Sequence, residues 1–251
     1  MRFTKKQFDR YSRQIILKKI GTVGQKKILQ SSVLIVGVGG LGSPIAIYLT
    51  ALGIGTIGII DRDKVEISNL NRQIIFSTND LKKNKSFVAI NKLKKINPDI
   101  KLISFNKRLT KKNINQIAKN FNLIVDGSDN FRTRFLINDY CLKNKKILVS
   151  GAISKFDGQV YTFNFSKKNS PCLRCFIPHT PNNQDVDNCE YEGALGTLGG
   201  IIGSIQANEV VKEILGIGSS LCGYILIIDA LKTTFRKVKL NKRSDCRCND
   251  K

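Results

Sequence analysis

A short apolar run that ends in a cluster of glycines and gives way to a helical pattern leaves few folds open to this chain. Residues 31–37 read SSVLIVG, the length and composition of a strand buried on both faces. Gly37-Val38-Gly39-Gly40-Leu41-Gly42-Ser43 follows, and then a helical stretch over 43–52. Strand, glycine loop and helix in that order aim backbone N–H groups and a helix N-terminus at an anion, phosphate oxygens above all. Side chains in the loop would block that approach and penalise positive φ. Asp61 closes the next apolar run (55–61, GTIGIID), nineteen positions beyond Gly42, where a carboxylate can accept hydrogen bonds from a ribose. These features suit a nicotinamide enzyme and an ATP enzyme equally. The chain has no GxxxxGK[ST] loop, which sets aside an ordinary P-loop NTPase.

The remaining pattern alternates. Residues 5–30 carry a helical period broken near Gly21 and Gly24, predicting two helices. A helix over 85–96 is stopped by Asn97-Pro98, and a strand is expected at 100–105. A helix at 113–120, a strand at 123–126, a helix at 132–143 and a strand at 147–151 complete the series. After Gly151 the pattern changes to an antiparallel-type strand (159–165), a polar aperiodic stretch (166–195), a helix (197–215) and two strands within 222–240. The fold class is therefore α/β: a Rossmann-like, doubly wound, largely parallel sheet extended by antiparallel strands, in a single domain over 1–251. Within it, 1–30 form N-terminal helices and 31–150 a nucleotide-binding core.

With 251 residues the chain can bury one sizeable core. Neither a signal-peptide pattern nor a membrane-length apolar stretch is present, so the cytoplasm is the expected compartment and no membrane partner is expected. The formal net charge of +23 raises a nucleic-acid module as an alternative. The lysines, however, fall in short runs along the whole chain (Lys5-Lys6, Lys26-Lys27, Lys82-Lys83, Lys94-Lys95, Lys111-Lys112, Lys145-Lys146), the pattern of solvated faces. No specific nucleic-acid partner is expected, and attraction of acidic partners accounts for the rest. Seven cysteines suit no paired disulfide framework; the close pairs Cys172/Cys175 and Cys246/Cys248 suit a metal clip in a reducing compartment.

The segment Asp63-Lys64-Val65-Glu66-Ile67-Ser68-Asn69-Leu70-Asn71-Arg72-Gln73 has no obvious use in hydride transfer. Together with Arg10-Tyr11-Ser12-Arg13-Gln14, the loop GVGGLGS, Lys85 and Asp126-Gly127-Ser128-Asp129-Asn130, it resembles the adenylyltransferases of the MoeB, ThiF and HesA family, relatives of the ubiquitin-activating enzymes. The resemblance runs from about residue 8 to residue 248; SGAISKFDGQVYTF and Asp229-Ala230 look nearer to MoeB than to ThiF. It implies that Gly37, Gly39, Gly40 and Gly42 line ATP, that Asp61 holds its ribose, and that Ser68, Asn69, Arg72 and Lys85 serve the phosphates. Asp129 would hold Mg²⁺ with Asn130 beside it, and Arg13 would reach into the neighbouring subunit of a homodimer. Adenylation joins a carboxylate to the α-phosphate and expels pyrophosphate, so positioning and charge neutralisation carry it. The attacking carboxylate is already ionised, so no general base is needed and His179, between two prolines, is free to be a loop residue. Taken singly, Arg13 and Lys85 would read as solvated helix charges, and Asp126 as a structural group.

The resemblance also implies a zinc site completed by Cys246 and Cys248, here one residue closer than the family spacing. Four thiolates leave no open coordination position, so its role would be structural. Cys189, in Asn188-Cys189-Glu190-Tyr191-Glu192-Gly193, matches a family cysteine associated with acyl transfer, although Tyr191-Glu192 adds bulk there. Cys141 and Cys222 are expected to be small core residues. The implied activity is ATP-dependent adenylation of a ubiquitin-like sulfur-carrier protein ending in Gly-Gly, for molybdopterin synthesis, with a ThiS-like carrier of thiamine thiazole synthesis as the alternative and an NAD-dependent oxidoreductase as a distant one. Residues 151–251 would hold the carrier-binding and zinc region. Little chain follows Cys248, so a separate cysteine desulfurase or sulfurtransferase is expected to donate the sulfur.

Overall fold

The computed structural model describes residues 3–168, 170–179, 193–246 and 248. Along the chain run α1 (Lys5–Ile15), α2 (Gly21–Gln30), β1 (Ser32–Val36), α3 (Gly42–Leu52), β2 (Thr56–Ile60), α4 (Lys85–Ile96), β3 (Lys101–Phe105), α5 (Ile114–Ala118), β4 (Leu123–Asp126) and α6 (Phe131–Lys143). Then come β5 (Ile147–Ser154), β6 (Asp157–Asn164), α7 (Leu173–Phe176), α8 (Gly196–Leu215), β7 (Tyr224–Asp229) and β8 (Thr234–Lys239). The eight strands form one sheet in the order β3-β2-β1-β4-β5-β6-β7-β8. β1 to β5 are mutually parallel and β6 to β8 add on antiparallel, as the alternation and its change after Gly151 predict.

Both faces of the parallel half are covered, which is why its strands read as unbroken apolar runs. Val33 and Ile35 of β1 face a core shared with α2, α3, α4 and α8, including Ile28, Leu49, Leu93 and Val210. Leu34 and Val36 face the opposite core, built on α5 and α6 with Ile117, Phe135 and Ile137. The antiparallel strands extend further than their periodicity indicates: β5 and β6 pair continuously from Ile147↔Asn164 to Ser154↔Asp157. The turn between them is two residues long, with Lys155 at φ 51, and such tight hairpins carry pairing to their tips. The polar stretch also holds one element without a sequence signature, the four-residue α7. Among the described residues, no helix is long and apolar enough to cross a membrane.

The N-terminal helix is tied to the body by buried polar contacts. A Thr4 capping box with Gln7 starts α1, each bond being 3.1 Å. The fully buried Tyr11 hydroxyl accepts a 2.8 Å bond from Asn97 Nδ2, and Arg10 donates to the Ile96 carbonyl at 2.9 Å. The Asn97-Pro98 helix stop thus doubles as the anchor for α1. Gly53, which ends α3 at φ +89, lies so close to the Tyr11 ring that a Cβ there would meet it at 2.6 Å. Gly53→Ala should combine backbone strain with overpacking and cost about 2–4 kcal/mol. Urea unfolding of the two proteins measures this.

Candidate nucleotide and metal sites

The strand order reverses between β1 and β4, so the loops leaving these two strands part and open a crevice at their carboxyl ends. The glycine loop occupies one side of it. Gly37 has φ +83, and a Cβ there would lie 2.9 Å from the Gly127 carbonyl of the loop after β4. Asp61 at the end of β2 holds the glycine loop: Oδ2 accepts from Val38 N at 2.9 Å and Oδ1 from Asp63 N at 2.8 Å. Burial pushes the Asp61 carboxyl above its ordinary value, against these two bonds and the nearby Lys85 ammonium.

Beside the glycine loop lies a cavity of about 460 Å³ lined by Asp63, Lys64, Glu66, Asn69, Arg72, Gln73, Lys85 and Asp129. A backbone clasp delivers Lys85 to it from the start of α4: Val65 N donates to Lys83 O and Lys85 N to Asp63 O, each at 2.9 Å. Lys85 is 6% exposed, with Nζ 3.7 Å from Asp63 Oδ2. Asn69 Oδ1 accepts from Glu66 N at 3.2 Å in a short 3₁₀ turn, Ile67–Asn69. Arg72 donates to Ser68 O and Asn71 Oδ1 at 2.9 and 3.1 Å. Asp80 braces the far end of the same loop, accepting from Ser77 N and Oγ and pairing with Lys92. Burial pushes its carboxyl up, but these partners more than offset that and hold it below the ordinary carboxylate range.

Asp129 enters from the loop after β4, exposed, its Oδ1 accepting from Asn130 Nδ2 at 3.1 Å. Asn130 Oδ1 caps α6 through Thr133 N at 2.9 Å. The fold therefore brings Asn69, Arg72, Lys85 and Asp129 into one cavity; Gly39 and Gly40 lie against its Gln73 and Arg72, Gly37 and Gly42 pack within the loops, and Asp61 holds the glycine loop from behind. Ser68 is exposed and contributes a carbonyl to Arg72. Arg13 is exposed on α1 and does not line the cavity of its own chain. Cys189 lies outside the described residues. Gln73, which stands in the 63–73 segment without a role of its own read from the sequence, is 5% exposed, and its Oε1 is buried without a hydrogen-bond partner among the described residues.

These residues fit a nucleotide. Cβ atoms at Gly39 and Gly40 would stand 3.5 Å from the Gln73 and Arg72 side chains and fill the gap between the loops. The unpartnered Gln73 oxygen awaits a donor, and Arg72 and Lys85 supply positive charge. The oxygen donors of Asp129, Asp63 and Glu66 suit a hard divalent ion such as Mg²⁺.

A second cluster stands apart. Cys172 precedes α7 and Cys175 lies within it, and with Cys246 and Cys248 their sulfurs all lie within 4.8 Å of one another. Cys172 and Cys246 are 3.6 Å apart and Cys175 and Cys248 3.5 Å, near the roughly 3.8 Å edge of a tetrahedron with 2.3 Å zinc–sulfur bonds. The short Cys246-to-Cys248 spacing therefore does not keep either sulfur out. Burial pushes the Cys172 thiol up to about 12 and Cys248 higher still. Buried thiols packed this closely ionise only against a cation, so the donor set fits zinc. The clip docks on α6, where Leu173 N donates to Asn138 Oδ1 at 2.9 Å. Arg174 forks onto Asp139 at 2.9 and 2.7 Å and lies over the Phe135 ring at 4.4 Å. Cys141 is buried, as expected, whereas Cys222 is partly exposed.

The sequence pattern of the ThiF family matches residues 11–249. The chain belongs to this family. It is 42% identical over 98% of its length to the sulfur carrier protein adenylyltransferase of Thermus thermophilus, spanning 92% of that protein. It is 45% identical over 95% of its length to a probable molybdopterin-synthase adenylyltransferase of Porphyra purpurea, and 43% over 97% to the adenylyltransferase and sulfurtransferase MOCS3 of Aedes aegypti. The chain spans 62% and 56% of those two longer relatives. Among solved structures, E. coli MccB with ATP superposes with a TM-score of 0.83 over 96% of this chain and 75% of MccB, at 21% identity, a likeness of fold. The family's sheet is thus the one described above.

Two outcomes follow from this geometry. Removing zinc with a chelator, or Cys246→Ser, should lower the melting temperature by roughly 5–10 °C, about 2–4 kcal/mol for a chain of this size, with metal content falling from one ion per chain in elemental analysis. Because Asp80 is more acidic folded than unfolded, its contribution is present above the ordinary carboxylate range and lost as pH falls through the folded value. The stability gap between wild type and Asp80→Asn should therefore close in acid, as read by urea unfolding at a series of pH values.

Proposed function

We propose that this protein uses ATP to adenylate the C-terminal glycine carboxylate of a ubiquitin-like sulfur-carrier protein ending in Gly-Gly, of the molybdopterin-synthase type, releasing pyrophosphate. The observation that carries this reading is the cavity that gathers Asn69, Arg72, Lys85 and Asp129 beside the glycine loop. The likeness to a protein named sulfur carrier protein adenylyltransferase supports the carrier as substrate. A hydride-transfer enzyme would leave Arg72, Lys85 and Asp129 without a task.

The carrier carboxylate attacks the α-phosphorus, the bond to the bridging oxygen breaks, and pyrophosphate leaves with the electron pair. Charge builds on the phosphate oxygens, and Arg72 and Lys85 neutralise it from within a partly dry cavity, where such interactions are strong. Asn69 and Gln73 offer neutral donors that orient the nucleotide, while Asp61 accepts from the ribose. Asp129 would hold a Mg²⁺ ion, which would supply further charge neutralisation. A sulfur donor, a cysteine desulfurase or sulfurtransferase, then attacks the acyl adenylate and displaces AMP. By its match to the family cysteine, Cys189 is the thiol we assign to that transfer. Adenylation itself needs no thiol, so Cys189→Ser should leave pyrophosphate exchange intact.

Arg13 completes the site across a homodimer. It is exposed at the last turn of α1, and Ile16 and Leu17 just after that helix and Val23 of α2 are 67%, 52% and 68% exposed, apolar surface suited to burial against a second copy. Each cavity would then receive Arg13 of the partner subunit. Residues 151–251 would present the carrier-binding face, and the cysteine pattern suits a reducing compartment such as the cytoplasm.

ATP–pyrophosphate exchange with Mg²⁺ and a molybdopterin-type or thiamine-type carrier in turn tests the reaction and names the carrier. Asp129→Ala should lower exchange at least about 100-fold. Arg13→Ala and Asp129→Ala, each inactive alone, should regain part of the activity when mixed, since the hybrid dimer holds one intact site. No exchange with either carrier would sink the assignment; no recovery on mixing would remove Arg13 from the partner subunit's site.

A further inference from the structure

Asp126 ends β4 and is 1% exposed, yet among the described residues no lysine or arginine pairs with it. It does not line the cavity, so it has no direct part in nucleotide binding. A buried carboxylate without a counter-cation is costly and persists only where hydrogen bonds satisfy it. Here three donors do so. Oδ1 accepts from Ser128 N at 3.0 Å and Ser128 Oγ at 2.6 Å, and Oδ2 from Ser150 Oγ of β5 at 2.7 Å. The Asp126 carbonyl accepts from Gln206 Nε2 of α8 at 2.9 Å.

These bonds decide where Asp129 sits. The Ser128 N–H bond closes an Asx turn that folds the chain back immediately before Asp129. Arg134 of α6 grips the same turn from the other side, donating to Ser128 O at 2.7 Å, and Gly127 N donates to Val36 O at 2.9 Å. Among the described residues Asp129 makes one side-chain hydrogen bond, with its neighbour Asn130, so its carboxylate is placed by the turn that carries it.

We propose that Asp126 is a positioning residue: it fixes the loop from Gly127 to Asn130 so that the Asp129 carboxylate is preset for the divalent ion that accompanies ATP. The inference rests on the adenylation reading for its catalytic consequence, but its core concerns metal-linked nucleotide binding and is read without any carrier.

The test compares wild type, Asp126→Ala, Asp126→Asn and Ser150→Ala. ATP affinity is measured by calorimetry with Mg²⁺ and with EDTA, and melting temperature serves as the folding control. Asp126→Ala should reduce the Mg²⁺-dependent gain in ATP affinity at least about tenfold while metal-free ATP affinity stays within about twofold, and Ser150→Ala should show a smaller loss in the same direction. Asp126→Asn should restore most of the gain, because an amide oxygen still accepts from Ser128 and the Ser150 hydroxyl can turn to accept from the amide. In exchange assays the half-saturating Mg²⁺ concentration should rise for Asp126→Ala, with the carrier KM unchanged. An unchanged Mg²⁺-linked gain in Asp126→Ala, equal losses with and without metal, or failure of Asp126→Asn to restore it would overturn the proposal. Wild type that gains ATP affinity from Mg²⁺ but exchanges no pyrophosphate with any carrier would remove the adenylation reading and leave the positioning role to be judged by the binding arms.

Discussion

Two backbone turns meet at the point where the sheet changes direction, and there is no room for a Cβ between them. Gly37 faces the Gly127 carbonyl at a separation that only glycine tolerates, with φ +83 besides. Gly127 in turn lies against Gly42 at the start of α3, where a Cβ would come within 3.1 Å of the Gly42 nitrogen. The loops after β1 and β4 therefore act as one surface, and every group in the cavity is referenced to it. Asp61 locks the first loop from β2, and Asp126 locks the second from β4, each through backbone N–H groups. The glycines supply closeness and the two carboxylates supply rigidity.

Much of this frame was legible in the sequence because it depends on local rules. α4 and β4 have the bounds their patterns predict, since Asn97-Pro98 ends the helix by steric necessity and a buried parallel strand must be an unbroken apolar run. Asn69, Arg72, Lys85 and Asp129 came from the family resemblance of their motifs, and the clasp between residues 63–65 and 82–85 is the physical reason Lys85 shares a cavity with Asn69 and Arg72. What escaped reading depends on partners distant in the chain. α7 is too short for a periodic signal and is held by Asn138, Arg174 and the sulfur cluster. Gln73 looks like a surface amide until burial leaves its oxygen without a partner. Asp126 reads in the sequence as a structural group that could cap α6, but Asn130 is the cap, and the donors to Asp126 come from β5, α8 and its own turn, which no single segment reveals.

The positive charge also divides more finely than the net value of +23 implies. Lys85 is buried in the cavity and Lys92 pairs with Asp80, whereas the lysine runs at 111–112 and 94–95 are exposed. Charge in the cavity is placed by hydrogen-bonded loops and acts at short range. The exposed lysines give the molecule a long-range field that favours acidic partners and weakens with salt. Affinity for a particular partner and attraction to acidic surfaces in general thus reside in different lysines.

The sulfur cluster and the cavity are joined through one helix. α6 begins at the Asn130 cap beside Asp129 and, two turns on, offers Asn138 and Asp139 to the cysteine clip. Arg174 stacks on Phe135 of the same helix, and Arg134 holds the Ser128 carbonyl from it. A metal ion in the clip would therefore steady the helix whose N-cap, Asn130, stands next to Asp129. Helices are stiff along their axis, so a clip that stops α6 from sliding also stops Asp129 from moving toward or away from the glycine loop. A metal site with no open coordination position can in this way contribute to chemistry it never touches, by holding constant the distance on which that chemistry depends.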